Sequence, residues 1–257
     1  MLGYFVHVER PMRSEIIDRF VAFVMSERRL YGTHDNNRVG FSLGQIGRYL
    51  RFVEIARSRY LPVSKTVAER FRKTMEEARQ NLGTRELIPE EIAELEKEGQ
   101  LHQLLHFEIE SFFLFAKILL DKIAHFIGDY FGQAHGVSFR SHDKLCKGID
   151  QYLKEKNLQI PSGMKNTMVE LRSLVADYRD KQIAHLQNPR ALHVTQIAAN
   201  GAAQIGASTL YPNEKDKFSS SPSVEHVCAV IEVYMSQLES LIEINRSKSR
   251  YKLGARG

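Results

Sequence analysis

The stretch from Leu101 to Phe131 constrains this chain most. Leu104, Leu105, Phe107, Ile109, Phe112, Phe113, Phe115, Ala116, Leu119, Leu120, Ile123, Phe126 and Ile127 recur at helical spacing but spread around most of the circumference. A helix apolar over so wide an arc must be surrounded, which predicts the central member of a helical bundle. Its longest apolar run, Phe112 to Leu120, is interrupted by Lys117 and is too short to span a bilayer.

The flanking sequence supplies partners for such a helix. Ile16, Ile17, Phe20, Val21, Phe23 and Val24 predict a helix over 14–30, with Ser14 as its cap. After a polar loop at 33–37, a second helix carrying Phe41, Leu43, Ile46, Leu50 and Val53 is expected to end before Pro62, and a third to run over 65–81. The acidic stretch Pro89 to Gly99 suits a connecting element, and it sets an expected boundary between an arginine-rich helical region (1–98) and a second helical domain (99–257). Beyond Phe131 the pattern predicts helices over 142–155, from 164 towards residue 178, and over 223–245. Between the last two, a small β-hairpin near 191–211 is expected, turning at Asn200-Gly201. The fold class expected is therefore all-α: a helical bundle with an added N-terminal helical region and one hairpin.

Composition narrows the setting. The 257 residues carry a net charge of +5 and a pI near 9.1, compatible with a polyanionic partner without requiring one. Cys146 and Cys228 are too few and too far apart for a disulfide framework, and Met1 to Pro11 has no leader-like apolar run. A cytoplasmic protein with no membrane partner is the expectation. Walker-type glycine loops and GxGxxG are absent from the sequence. His102 and His106 have a metal-like spacing but lack the glutamate of HExxH, so no metal or other cofactor is expected.

Chemistry concentrates in Asp177-Tyr178-Arg179-Asp180-Lys181-Gln182-Ile183-Ala184-His185, close before Asn188-Pro189. Histidine can move a proton near neutral pH, and arginine can hold a phosphate. On a straight helix, positions six apart lie about 120° apart around the axis, so Arg179 and His185 converge only through a bend or a second subunit. Two other Arg-to-His spacings, Arg28 and Arg29 to His34, lack the polar residue after the arginine. Setting therefore matters more than spacing.

Arg179-Asp180-Lys181-Gln182-Ile183-Ala184-His185 resembles the Arg-polar-x-His signature of the HEPN superfamily, and the helical pattern over roughly 100–245 agrees with it. The resemblance implies a metal-independent endoribonuclease of toxin or phage-defence type, with a site assembled across a homodimer. His185 would be general acid or base, Arg179 the phosphate holder and Asp180 an orienting group. RNA is the implied substrate, and an antitoxin or defence protein a possible partner. Lys181, Arg48 and Arg51 are weaker RNA-binding candidates, with Tyr49, Phe52 and Tyr60 either core or stacking platforms. The competing reading is a catalytically silent HEPN-like scaffold that binds nucleotide, RNA or protein. The tyrosine that some family members carry two places after the histidine is replaced here by Gln187.

Overall fold

The computed structural model describes residues 14–80, 89–177, 191–197, 203–209 and 224–254. Six α-helices account for most of these: α1 (Glu15–Arg28), α2 (Thr33–Gln80), α3 (Pro89–Phe131), α4 (His142–Lys156), α5 (Met164–Leu171) and α6 (Val224–Ile244). The described chain is thus predominantly helical. Strands β1 (Ala191–Ile197) and β2 (Ala203–Thr209) pair antiparallel, from Ala191 with Thr209 to Ile197 with Ala203. The turn expected at Asn200-Gly201 lies outside the described residues.

α2 and α3 form a long antiparallel pair. Tyr49 faces Lys122, Phe52 meets Phe115 and Arg59 meets Glu108, so numbers fall along one helix as they rise along the other. α3 is buried at Leu105, Ile109, Phe112, Phe113, Ala116, Leu119, Leu120, Ile123, Ala124, Phe126, Ile127 and Tyr130, as a central helix must be. One hydrophobic cluster joins it to Ile16 and Phe20 of α1, Leu43 and Leu50 of α2, Leu145 of α4, Met168 of α5 and Leu238 of α6. The expected boundary at 98/99 falls inside α3.

Three local expectations differ from the structure. The polar stretch 33–37 is the first turn of α2, not a loop: Asn36 donates to the Arg28 carbonyl at 2.8 Å and accepts from Arg28 Nε at 3.1 Å, so it closes the end of α1 from the next helix. Pro62 does not end a helix but lies inside α2. It withdraws one backbone donor, at a cost of about 3 kcal/mol, and the buried side chains of Val53, Ala56, Tyr60, Val67 and Ala68 on either side hold the helix through it. The acidic segment from Pro89 is continuous with α3, since its proline and glutamates suit a helix N-terminus as well as they suit a connection.

The C-terminal segment straps α1 and α2 to α3. Glu27 is fully buried and accepts from Arg246 Nη2 at 2.8 Å and Nε at 3.1 Å, from Tyr31 Oη at 2.7 Å and from Tyr130 Oη at 2.8 Å. The two tyrosine hydroxyls also lie within hydrogen-bond reach of each other, so their two protons are shared among three contacts. Nearby, Arg250 N donates to the Tyr130 carbonyl at 2.9 Å and Gly254 N to that of Leu30 at 2.9 Å. Burial is the main reason both phenols are pushed well above their ordinary pKa, which keeps them neutral donors. Glu27→Ala strands the guanidinium and both hydroxyls, so it is expected to lower unfolding free energy by about 3 kcal/mol in urea denaturation. A loss comparable to that of an exposed glutamate would contradict this role.

Candidate functional site

Arg179, Asp180, Lys181 and His185 lie outside the described residues, as does the hairpin-side approach to them. The launching platform is described. α5 begins after Pro161-Ser162-Gly163, where Gly163 takes φ 76°, a conformation that glycine adopts without a Cβ penalty. Met164, Thr167, Met168 and Leu171 bury one side of α5. At Arg172 the chain leaves α geometry and runs to Asp177 as a π-helical turn, with i→i+5 hydrogen bonding.

Polar groups from α3, α4 and α6 gather beside this turn. Arg172 Nε pairs with Asp143 at 2.5 Å, and Asp143 also holds Lys147 at 2.9 Å. The hydrogen bond from Lys147 is the largest influence on Asp143 and, with Arg172, keeps its carboxyl below the usual range. Asp121 accepts the His142 backbone N–H at 2.9 Å and Lys117 Nζ at 2.7 Å, so α3 provides an anion at the N-terminus of α4 and neutralises a nearly buried lysine. Ser141 caps the same helix by accepting from Lys144 N at 3.3 Å.

Within this cluster, His142 is buried. Its Nε2 meets Tyr234 Oη at 3.2 Å and its Nδ1 meets Cys146 Sγ at 3.5 Å, while the thiol also donates to the Met168 carbonyl at 3.6 Å. Burial pulls His142 down to about 4 and pushes Cys146 up to about 11, so neither an imidazolium nor a thiolate forms here near neutral pH. The group stitches α4, α5 and α6 together and is unsuited to proton transfer at pH 7. Sequence reading missed it because its members are separated by up to 92 positions and no short motif unites them.

The remaining candidates sit elsewhere. Arg48 and Arg51 are exposed on α2, and no hydrogen bond or ion pair among the described residues links them to α5 or the π turn. Tyr60 is buried, which settles it as core, whereas Tyr49 and Phe52 are half-buried. His34 is exposed and lies near Asp35 at 3.4 Å, and Glu110 is exposed on α3. Burial, followed by the neighbouring His102, holds His106 below its ordinary pKa. Among the described residues no group of three or more His, Cys, Asp or Glu side chains is placed to hold a metal ion, and no helix is long and apolar enough to cross a membrane.

His142 makes stability depend on pH with a defined sign. Its folded pKa lies below the ordinary 6.5, so between pH 6.5 and about 4 the unfolded chain binds a proton that the folded chain does not, and stability falls as pH falls through that window. The expected loss from this one group is about 3 kcal/mol. It should appear as the difference between wild type and His142→Gln in urea denaturation at a series of pH values. Parallel curves would contradict it.

Comparison of the chain with protein-family models, curated proteins and solved structures finds no match.

Proposed function

We propose that this protein is a metal-independent endoribonuclease of the HEPN kind, acting on RNA through Arg179, Asp180 and His185 in a site shared by two copies of the chain. The observation that carries the reading is the order of the helices, with a long central α3, shorter α4 and α5 before the motif and a closing α6 after it, which agrees with the resemblance. A straight helix keeps Arg179 and His185 about 120° apart, and the π turn, lying before both, leaves that separation unchanged, so their convergence calls for a bend between them or a second copy of the chain.

The chemistry follows from the residue types. A base takes the proton of the ribose 2′-hydroxyl, whose oxygen attacks the adjacent phosphorus. The bond to the 5′-oxygen breaks, and an acid returns a proton to that oxygen. The products are a 2′,3′-cyclic phosphate and a 5′-hydroxyl. His185 serves the proton transfer, Arg179 binds the phosphoryl oxygens and offsets charge in the transition state, and Asp180 orients one of them. His142 takes no part, because burial keeps it neutral. Leu104, Phe107 and Leu114 of α3 are 42%, 56% and 44% exposed at helical spacing, an apolar strip that a second copy could cover.

In an RNA cleavage assay containing a chelator, His185→Ala is expected to slow cleavage by at least about 100-fold and Arg179→Ala by a comparable factor. Both should retain wild-type melting temperatures. Unchanged cleavage in His185→Ala would remove it from the mechanism. RNA binding without cleavage in the wild type would favour the scaffold reading instead.

A further inference from the structure

Well away from the motif in sequence, α1 and α2 enclose a half-open slot of about 310 Å³. Val21, Val24 and Met25 of α1 and Gly44, Gly47 and Phe52 of α2 line it, together with the buried Phe20 and Leu43. Val21 and Met25 are 44% and 48% exposed, although both are large apolar side chains. The two glycines leave room there: a Cβ at Gly44 would meet no atom within 4 Å, and one at Gly47 would touch only the Phe20 ring at 3.6 Å.

The rim is positively charged. Arg48 lies 5.4 Å over the Phe52 ring, and Arg51 stands one helical turn further along. Neither has a carboxylate partner among the described residues, whereas Arg57 and Arg59 on the same helix are held by Glu54 at 3.5 Å and Glu108 at 2.6 Å. From Phe52 an aromatic row continues across to α3. Tyr49 meets Phe52 edge-on at 5.6 Å, Phe115 lies 5.2 Å from Phe52 and Lys122 sits 5.9 Å from the Tyr49 centroid.

We propose that this slot binds one nucleotide of a single-stranded RNA, with the base against the Val21, Met25 and Phe52 surfaces and the flanking phosphates on Arg48 and Arg51. An apolar partner helix would cover the apolar side chains but offer no anion to either guanidinium, neither of which is ion-paired among the described residues. A nucleotide offers a flat π-face and an anion on one ligand, and the volume matches one such unit. The aromatic row and Lys122 mark the direction in which the strand continues. The choice of RNA rests on the ribonuclease reading, and binding is measured apart from cleavage.

The test is fluorescence anisotropy of a labelled single-stranded RNA of about 12 nucleotides, several times the length one slot would hold. It is titrated with the full chain carrying His185→Ala so that the probe is not consumed. Gly44→Leu fills the slot from open space and is expected to weaken binding about tenfold, the loss of one stacked base. Arg48→Ala with Arg51→Ala should weaken binding similarly and lower the slope of log affinity against log salt by about 1.4, as two lost phosphate contacts require. These exposed arginines can be replaced without touching the core, so the second pair stands even if Gly44→Leu fails to fold. Wild-type affinity in folded Gly44→Leu with an unchanged salt slope in the arginine pair, or no binding by the parent chain, overturns the proposal. So does a wild-type dimer that Gly44→Leu converts to monomer with RNA affinity intact, which would make the slot a protein seat. Binding lost in these variants while wild type cuts no RNA leaves the slot standing and removes the ribonuclease reading; cleavage intact with binding insensitive to them does the reverse.

Discussion

The structure depends on enclosing α3. A helix with Phe112, Phe113, Ala116, Leu119, Leu120 and Ile123 all buried turns most of its circumference to the core and leaves only a strip with Leu104, Phe107, Glu110 and Leu114 exposed, so neighbours have to approach from several sides. α2 covers much of its length in an antiparallel pair, and residues of α1, α4, α5 and α6 join the same cluster. The buried Glu27, with Tyr31, Tyr130 and Arg246, then ties the N-terminal helices and the C-terminal segment to the far end of α3. Its charge is tolerable there because every described contact it makes is a donor.

Central helix and helical class were legible because both follow from the period and breadth of apolar residues. Breaks between helices were less so. Pro62 reads as a stop when local cost alone is weighed, but burial on both sides of it outweighs one lost hydrogen bond. Asn36 reads as a loop residue, yet its side chain serves the last turn of α1 while its own backbone begins α2. The acid-rich start of α3 has the composition of a connection and also the charge that a helix N-terminus favours. For Pro62 and Asn36 local chemistry permitted two structures, and tertiary contacts chose between them.

The candidate site divides differently. Arg179, Asp180 and His185 could be named from sequence because a motif is local, and their geometry lies outside the described residues. The His142, Tyr234 and Cys146 cluster was invisible to such a reading because folding alone brings it together. The consequence for function is exclusion: a histidine held neutral by burial supports helix packing and leaves neutral-pH proton transfer to another group. Arg48 and Arg51 show the opposite pattern. Sequence singled out their charge, and the structure adds the slot lined by Gly44, Gly47 and Phe52 beside them.

Chemical identity of the cleavage product tests the central claim most directly, because it reports the mechanism rather than the rate. RNA is incubated with the purified protein in chelator, and the new ends are read by mass spectrometry. Attack by the 2′-hydroxyl predicts a 2′,3′-cyclic phosphate paired with a 5′-hydroxyl, with both absent when Arg179 or His185 is replaced. A 5′-phosphate with a 3′-hydroxyl, or a requirement for divalent metal, would contradict the account.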